Sequence, residues 1–164
     1  MATETKLRQL ADKECPVYYF YSSERYLVRQ AVTAITRILT ADSDEDATVL
    51  DGAAPEIEQL IMAAGTISFF GTRRVVVLPE IDPAAYSDKD LEELNSTLSS
   101  LENAVVVLGS VFELERSKLK TGKRAQKLIA QCKALGYTEE LAKPKPFELK
   151  MMMIDRAKEQ KTTL

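Results

Sequence analysis

The sequence predicts an α/β fold with a mainly parallel sheet and helices on both faces. Three near-continuous apolar runs, at residues 17–21, 75–78 and 104–108, have the length of strands and alternate with helical patterns. Such runs are typical of strands covered on both sides, and strands separated by helices pair in parallel through right-handed crossovers. The 164 residues, of which 45% are hydrophobic, are enough for one domain with a substantial core.

The first half of the chain predicts two β-α units. The β-rich run at 17–21 is followed by an amphipathic helix over residues 24–39, and an acidic loop at 42–46 leads to a short strand at 47–50. Pro55 is placed where it can open the next helix. Four positions of that helix are predicted to form one apolar face: Ile57, Leu60, Ile61 and Ala64.

The second half continues the alternation and then breaks it. After the strand at 75–78 we expect a helix over roughly 88–101, a strand at 104–108, a helix over about 118–133 and a short strand near 135–137. The stiff connector Lys143-Pro144-Lys145-Pro146 then predicts a domain boundary. The predicted domains are therefore residues 1–142, an α/β domain, and residues 143–164, a linker with the truncated start of a helical domain in a longer protein.

The net charge of −3 conceals two halves of opposite sign. Residues 1–115 carry 9 basic and 20 acidic side chains, whereas residues 116–164 carry 13 and 5. A basic half can indicate nucleic acid. However, five of these cations alternate with apolar residues as on a solvated helix face, and no aromatic ring accompanies them. The five are Lys118, Lys120, Lys123, Arg124 and Lys127.

The loop after the first strand, where an α/β protein would bind phosphate, lacks the groups for it. Ser22-Ser23-Glu24 offers a carboxylate but none of the glycines or the Lys-Ser/Thr pair of a phosphate loop. Gly122-Lys123 continues with Arg124 and has no glycine five residues earlier. We therefore expect a degenerate phosphate loop and no nucleotide hydrolysis.

Metal and catalytic chemistry find little support. The chain has no histidine, and its two cysteines, Cys15 and Cys132, are far apart, which favours reduced thiols and an intracellular, cytoplasmic protein. The acidic loop at 42–46 resembles the opening of a calcium loop, but Ala47 and Ala53 stand where glycine and the bidentate glutamate belong. Asp51 is the best lone carboxylate, and a turn-capping role suits it better than catalysis. We expect no metal, no cofactor and no membrane-spanning segment.

The connection at residues 66–74 is the most informative stretch. Phe69 and Phe70 are adjacent between a helical pattern and a buried strand, and neighbours in a tight connection point in different directions. Both rings could pack beneath the loop, as most aromatic side chains do. Alternatively, they form a hydrophobic wedge for a partner protein.

Three stretches together resemble the delta subunit family of the bacterial replicative clamp loader, part of the DNA polymerase III holoenzyme. They are the Tyr-rich strand followed by Glu24-Arg25-Tyr26-Leu27, the segment SFFGTRRVVV at 68–77, and the strand and basic helix at 105–127. The resemblance extends over residues 16–160 in the family's order. The second stretch is the most specific, because the family places its clamp-binding element there. Ser22 departs from the glycine that is usual in the family.

This resemblance implies an AAA+-type α/β domain with a degenerate phosphate loop, followed by the start of a small helical lid domain. It also implies that Ile67, Ser68, Phe69 and Phe70 bind the sliding clamp, the beta ring, and open it. ATP would act through the other clamp-loader subunits, and DNA would be a partner within the full assembly. Two alternatives stay open: an α/β nucleotide-dependent enzyme, and a nucleic-acid-binding module that uses the basic half.

Overall fold

The computed structural model describes residues 15–41, 46–65 and 73–142, together with the single position Gln9. Most of the predicted acidic loop, the segment containing Phe69 and Phe70, and all residues after 142 lie outside the described residues. The predicted second domain at 143–164 therefore stays a prediction.

A five-stranded parallel sheet forms the centre of the molecule. Its strands, in chain order, are β1 (Val17–Ser22), β2 (Thr48–Val49), β3 (Arg74–Leu78), β4 (Ala104–Val111) and β7 (Tyr137–Glu140). They are arranged in the order β2-β3-β4-β1-β7, and each neighbouring pair is parallel. The predicted parallel α/β sheet is confirmed.

In the described ranges, four α-helices cover the two faces of this sheet unequally. They are α1 (Arg25–Thr40), α2 (Ile57–Gly65), α3 (Asp88–Ser99) and α4 (Gly122–Leu135), and a short 3-10 helix, Pro83–Ala85, precedes α3. The apolar side of α1 packs against Tyr18, Phe20 and Val107 on one face, whereas α2, α3 and α4 pack on the other face around Tyr19. Successive residues of β1 thus serve opposite layers, as strand geometry requires.

Two buried hydroxyl groups link the central strands to the loop after β3. The Tyr19 hydroxyl lies 2.6 Å from Ser110 Oγ, and Ser110 Oγ in turn donates to the Ile81 carbonyl at 2.8 Å. Burial raises the pKa of Tyr19 above its ordinary value. A neutral tyrosine with a hydrogen-bond partner can be buried at little cost. These two hydrogen bonds therefore hold the carboxyl end of β4 next to β1.

The predicted start of the last helix was wrong. Residues 114–119 form a hairpin of β5 (Leu114–Glu115) and β6 (Lys118–Leu119), and α4 begins only at Gly122. The two turn residues, Arg116 and Ser117, have φ angles of 52° and 68°. Two-residue hairpin turns of this kind usually contain Asn-Gly. The pair Arg116-Ser117 gives no such turn signal. The predicted helix therefore included residues 118–121, which precede the observed start at Gly122.

The predicted apolar face of α2 is only partly buried. Ile57 and Leu60 are in the core and Ala64 is half-buried, but Ile61 is 52% exposed. The helix also begins two residues after Pro55 rather than at it. Because α2 packs mainly on β3, near the edge of the sheet, it buries a narrower stripe than the sequence pattern indicates.

A test of this packing uses Gly109, in the middle of β4. A Cβ atom at this position would lie 2.4 Å from the Pro79 carbonyl oxygen and 2.8 Å from Val28 Cγ1 of α1. We expect Gly109→Ala to lower the free energy of unfolding by at least about 1–3 kcal/mol. The reason is that the Pro79 carbonyl belongs to the backbone and cannot easily move away. At roughly 2–4 °C per kcal/mol, calorimetry should detect a clear fall in Tm.

Gly65→Ala is the matched control, since a Cβ there meets nothing within 4 Å and alanine is the better helix former. This variant should keep or slightly raise the Tm. Equal melting of the two variants would contradict the close approach of α1 to β4.

Candidate functional site

All strands of the parallel sheet start on one side and end on the opposite side. We call the side where the strands start the amino edge and the side where they end the carboxyl edge. The carboxyl ends of the strands are where α/β proteins bind nucleotides. At the amino ends, the chain leaves α2 at Gly65 and enters β3 at Arg74, so the predicted clamp-binding segment starts and ends there. The residues that flank the predicted Phe69-Phe70 segment and the predicted degenerate phosphate loop therefore lie at opposite edges of the sheet.

Ser22, at the end of β1, has its side chain committed to the fold. It is buried, donates its Oγ hydrogen to the Leu141 carbonyl at 2.5 Å and accepts the backbone N–H of Glu24 at 3.1 Å. The Leu141 N–H donates to the Tyr21 carbonyl at 2.8 Å. The hydroxyl thus joins the ends of β1 and β7 and shapes the turn into α1, which explains a serine where the family usually has glycine.

The start of α1 does not form a phosphate cradle. Glu24 occupies the N-cap position, where its carbonyl accepts from Leu27 and Val28, but its carboxylate makes no capping hydrogen bond. The first cation of the helix, Arg25, is paired through Nε with the Glu80 carboxylate. Its charge is therefore neutralised at the position where a phosphate would need it.

A broad cleft of about 1350 Å³ opens at this carboxyl edge, and carboxylates outnumber cations around it. Its charged lining residues are Glu24, Asp51, Glu80, Asp82 and Glu113 against Arg25, Arg29 and Lys120. One of these carboxylates, Asp82, already accepts the Ala84 N–H at 3.1 Å. The excess of negative charge disfavours a triphosphate in the cleft.

Asp51, the best lone carboxylate of the sequence, is exposed where the chain leaves β2 for the cleft. A general base needs a nucleophile or substrate proton within reach, and the chain has no histidine to share such work. The site therefore offers no recognisable catalytic pair.

The predicted clamp-binding residues Ile67, Ser68, Phe69 and Phe70 lie outside the described residues, and their role stays a prediction. The far end of their segment is firmly held. Arg73 donates through its guanidinium to the Cys15 carbonyl at 3.2 Å, and the Arg74 N–H donates to the Asn103 carbonyl at 3.0 Å. These contacts join the start of β3 to the chain segments that lead into β1 and β4.

Exposed apolar surface lies next to the near end of the same segment. Ile61 and Met62 of α2 are 52% and 72% exposed. Ile61 also lines a groove of about 470 Å³ between α2 and the end of α3, together with Gly65 and Leu101. Sequence analysis assigned Ile61 to the core and overlooked Met62, because periodicity does not show which part of an apolar stripe a neighbouring helix leaves uncovered.

The basic residues after 115 do not form one helix face. Lys118 lies on β6 and Lys120 follows it, whereas Lys123, Arg124 and Lys127 lie on α4. The side chains of all five residues are exposed. Arg124 Nε lies 3.0 Å from Asp88 Oδ1 of α3. The prediction of a single solvated helix was therefore wrong for the two residues of the hairpin region.

Neither a metal-binding cluster nor a membrane-spanning helix is found in the described residues. In these ranges no group of three cysteine or acidic side chains is placed to hold a metal ion. None of the helices described is both long and apolar enough to cross a bilayer.

Comparison with known proteins connects this geometry to a family. The sequence profile of the family described as DNA polymerase III, delta subunit, matches residues 18–135. DNA polymerase III subunit delta of Bacillus subtilis strain 168 is 28% identical over 137 residues, which are 76% of this chain and 39% of the relative. The chain thus spans well under half the length of that relative.

A solved structure shows the same fold. A DNA polymerase III gamma subunit-related protein from Thermotoga maritima superposes with a TM-score of 0.62 at 15% identity, over 89% of this chain and 48% of that protein. This likeness confirms the α/β fold with its mainly parallel sheet and flanking helices. Because the family profile covers well over half of the sequence, the chain belongs to the DNA polymerase III delta subunit family, whose members are components of the clamp loader.

Proposed function

We propose that this chain is the clamp-binding part of a clamp-loader subunit, which binds and opens the sliding DNA clamp without hydrolysing ATP. Ile67, Phe69 and Phe70 form the apolar wedge, and Ser68 shapes its turn. The other clamp-loader subunits and, within the full assembly, DNA are further partners, and the assembly works in the cytoplasm. Membership of the delta subunit family supports this proposal, as do the exposed apolar side chains of α2 that precede the wedge segment.

The observation that supports the proposal best is that the described residues on either side of the wedge segment, the end of α2 and the start of β3, lie at the amino edge of the sheet. Its neighbours on one side are the exposed Ile61 and Met62, and on the other side β3 is buried along nearly its whole length. Apolar surface next to two adjacent phenylalanines is the composition of an interface centre. A rigid strand behind it means that little binding energy is lost in ordering the domain.

Opening a closed ring requires a partner that binds the distorted ring better than the closed one. Aromatic side chains bury roughly 150–250 Å² each, and at about 25 cal/mol per Å² a phenylalanine pair supplies several kcal/mol for that difference. A wedge therefore works by binding alone. No chemical step in this chain is needed.

The carboxyl edge supports the second part of the proposal, that ATP is not hydrolysed here. The Ser22 hydroxyl is committed to Leu141 and Glu24, Arg25 is paired with Glu80, and the cleft has more carboxylates than cations. Among the described residues, the arginine nearest the turn into α1 is thus already paired, and the negative charge of the cleft disfavours a phosphate.

Truncation of Phe70 tests the wedge. Phe70→Ala should weaken binding to the sliding clamp of the same cell by ~2–4 kcal/mol, roughly 30- to 1000-fold, as loss of a central interface aromatic does. The Tm should hardly change, since a side chain that serves a partner contributes little to the core. Surface plasmon resonance on immobilised clamp and calorimetry of the free chain measure the two quantities.

Two variants calibrate this experiment. Leu114→Ala removes an exposed apolar side chain in the hairpin that follows the carboxyl end of β4, and clamp affinity should stay within twofold. Phe112→Ala truncates a buried ring, which typically costs ~3–5 kcal/mol of stability. If a Phe69→Ala, Phe70→Ala variant melts as low as the Phe112 variant yet binds clamp like the parent, both rings are core residues and the wedge is wrong.

The degenerate phosphate loop predicts that ATP with Mg²⁺ binds with a Kd above about 1 mM by isothermal calorimetry. The physical reason is the carboxylate of Glu24 where a phosphate loop has its lysine. Micromolar affinity that is lost when Arg25 or Arg29 is changed to alanine would show a working nucleotide site. That result would favour the nucleotide-dependent enzyme instead.

A further inference from the structure

The outer face of α1 has a composition that differs from the rest of the first 115 residues. The helix contains three arginines, no lysine and no carboxylate, although residues 1–115 as a whole carry 20 acidic side chains against 9 basic ones. It also holds Tyr26, whose side chain is 68% exposed. A large aromatic ring left in water beside arginines calls for a physical explanation.

These side chains line one shallow groove of about 340 Å³ along the helix. Its lining residues all belong to α1: Tyr26, Arg29, Gln30, Thr33, Ala34 and Arg37. Arg29 and Arg37 are separated by eight residues, about 12 Å along the helix axis. Both are exposed, and neither forms an ion pair with the part of the chain that the structure describes.

Neither helix stability nor protein docking accounts for this face. Cations near the amino end of a helix oppose its macrodipole, so Arg25 and Arg29 do not stabilise α1 by that route. A protein interface also favours tyrosine and arginine, but it arranges them around a buried apolar centre that is depleted of charge. The exposed positions of α1 are Arg25, Tyr26, Arg29, Thr33 and Arg37, none of which is aliphatic.

We propose that the outer face of α1 binds single-stranded nucleic acid. The exposed ring of Tyr26 is a platform on which one base stacks, and the guanidinium groups of Arg29 and Arg37, about one and three turns further along the helix, contact successive phosphates of the same strand. Gln30 and Thr33, between the two arginines, add hydrogen-bonding groups. Stacking requires an unpaired base, and therefore the face selects a single strand over a duplex. The surface does not involve residues 67–70 and is independent of clamp binding.

The test is fluorescence anisotropy with a labelled oligothymidylate of about 20 nucleotides at about 50 mM salt, compared with a duplex of equal length. Tyr26→Ala should weaken binding about 5- to 150-fold, the effect of losing one stacked base, whereas Tyr26→Phe should retain affinity. Changing Arg29 and Arg37 together to alanine should reduce the slope of log Kd against log salt by roughly 1.4, about 0.7 for each phosphate contact.

Lys118→Ala with Lys120→Ala is the matched control, because it removes two exposed cations from the other basic surface; affinity should stay within about twofold. Three results would overturn the proposal. The first is no binding at low salt, and the second is loss of binding in the lysine variant with full binding in the α1 variants. The third is competition by poly-L-glutamate as strong as by oligothymidylate, which would make the face a site for acidic protein. All variants change exposed side chains, so their Tm values should match the parent.

Discussion

The double-sided burial of β1 and β4 is the constraint on which the rest of the structure depends. These two strands form the centre of the sheet, and the side chains of β4 are buried from Ala104 to Ser110. Each layer of helices therefore packs on side chains that alternate along the same two strands. A strand buried on both faces has no polar side to expose, so its few polar groups must find partners within the protein. Tyr19 and Ser110 do so through the Ile81 carbonyl.

The same requirement acts at the carboxyl edge, where the loop after β1 lacks the glycines and the lysine of a phosphate loop. The end of β1 must be joined to β7 and to the start of α1, and here the Ser22 hydroxyl makes both connections. A glycine-rich loop would leave its backbone N–H groups for phosphates instead. The hydrogen bonds that would hold a ligand in a nucleotide-binding protein thus hold the chain to itself, and Arg25 is likewise occupied by Glu80.

Binding functions then fall on surfaces that the core does not use. The described residues that flank the proposed wedge lie at the amino edge, with Ile61 and Met62 nearby. The outer face of α1 carries Tyr26, followed along the helix by Arg29 and Arg37, which form no ion pair with the described residues. The inner side of α1 is buried against the sheet, and β3, which follows the wedge segment, is buried along nearly its whole length. A subunit built in this way can act as a rigid mount, and its partners can be changed by substitutions at exposed positions that leave the core intact.

The sequence by itself determined the layers and the parallel sheet. Continuous apolar strands need cover on both faces, and the amphipathic helices between them provide it when the strands pair in parallel. It also showed that the loop after β1 lacks the lysine and the glycines of a phosphate loop, because their absence can be seen without a structure. Only the tertiary structure decided which residues of amphipathic elements are exposed: Ile61 has an apolar pattern but lies where α3 leaves it uncovered. Likewise the hairpin at Arg116 and Ser117 carries no turn signature, because its positive φ angles depend on strand pairing rather than on residue type.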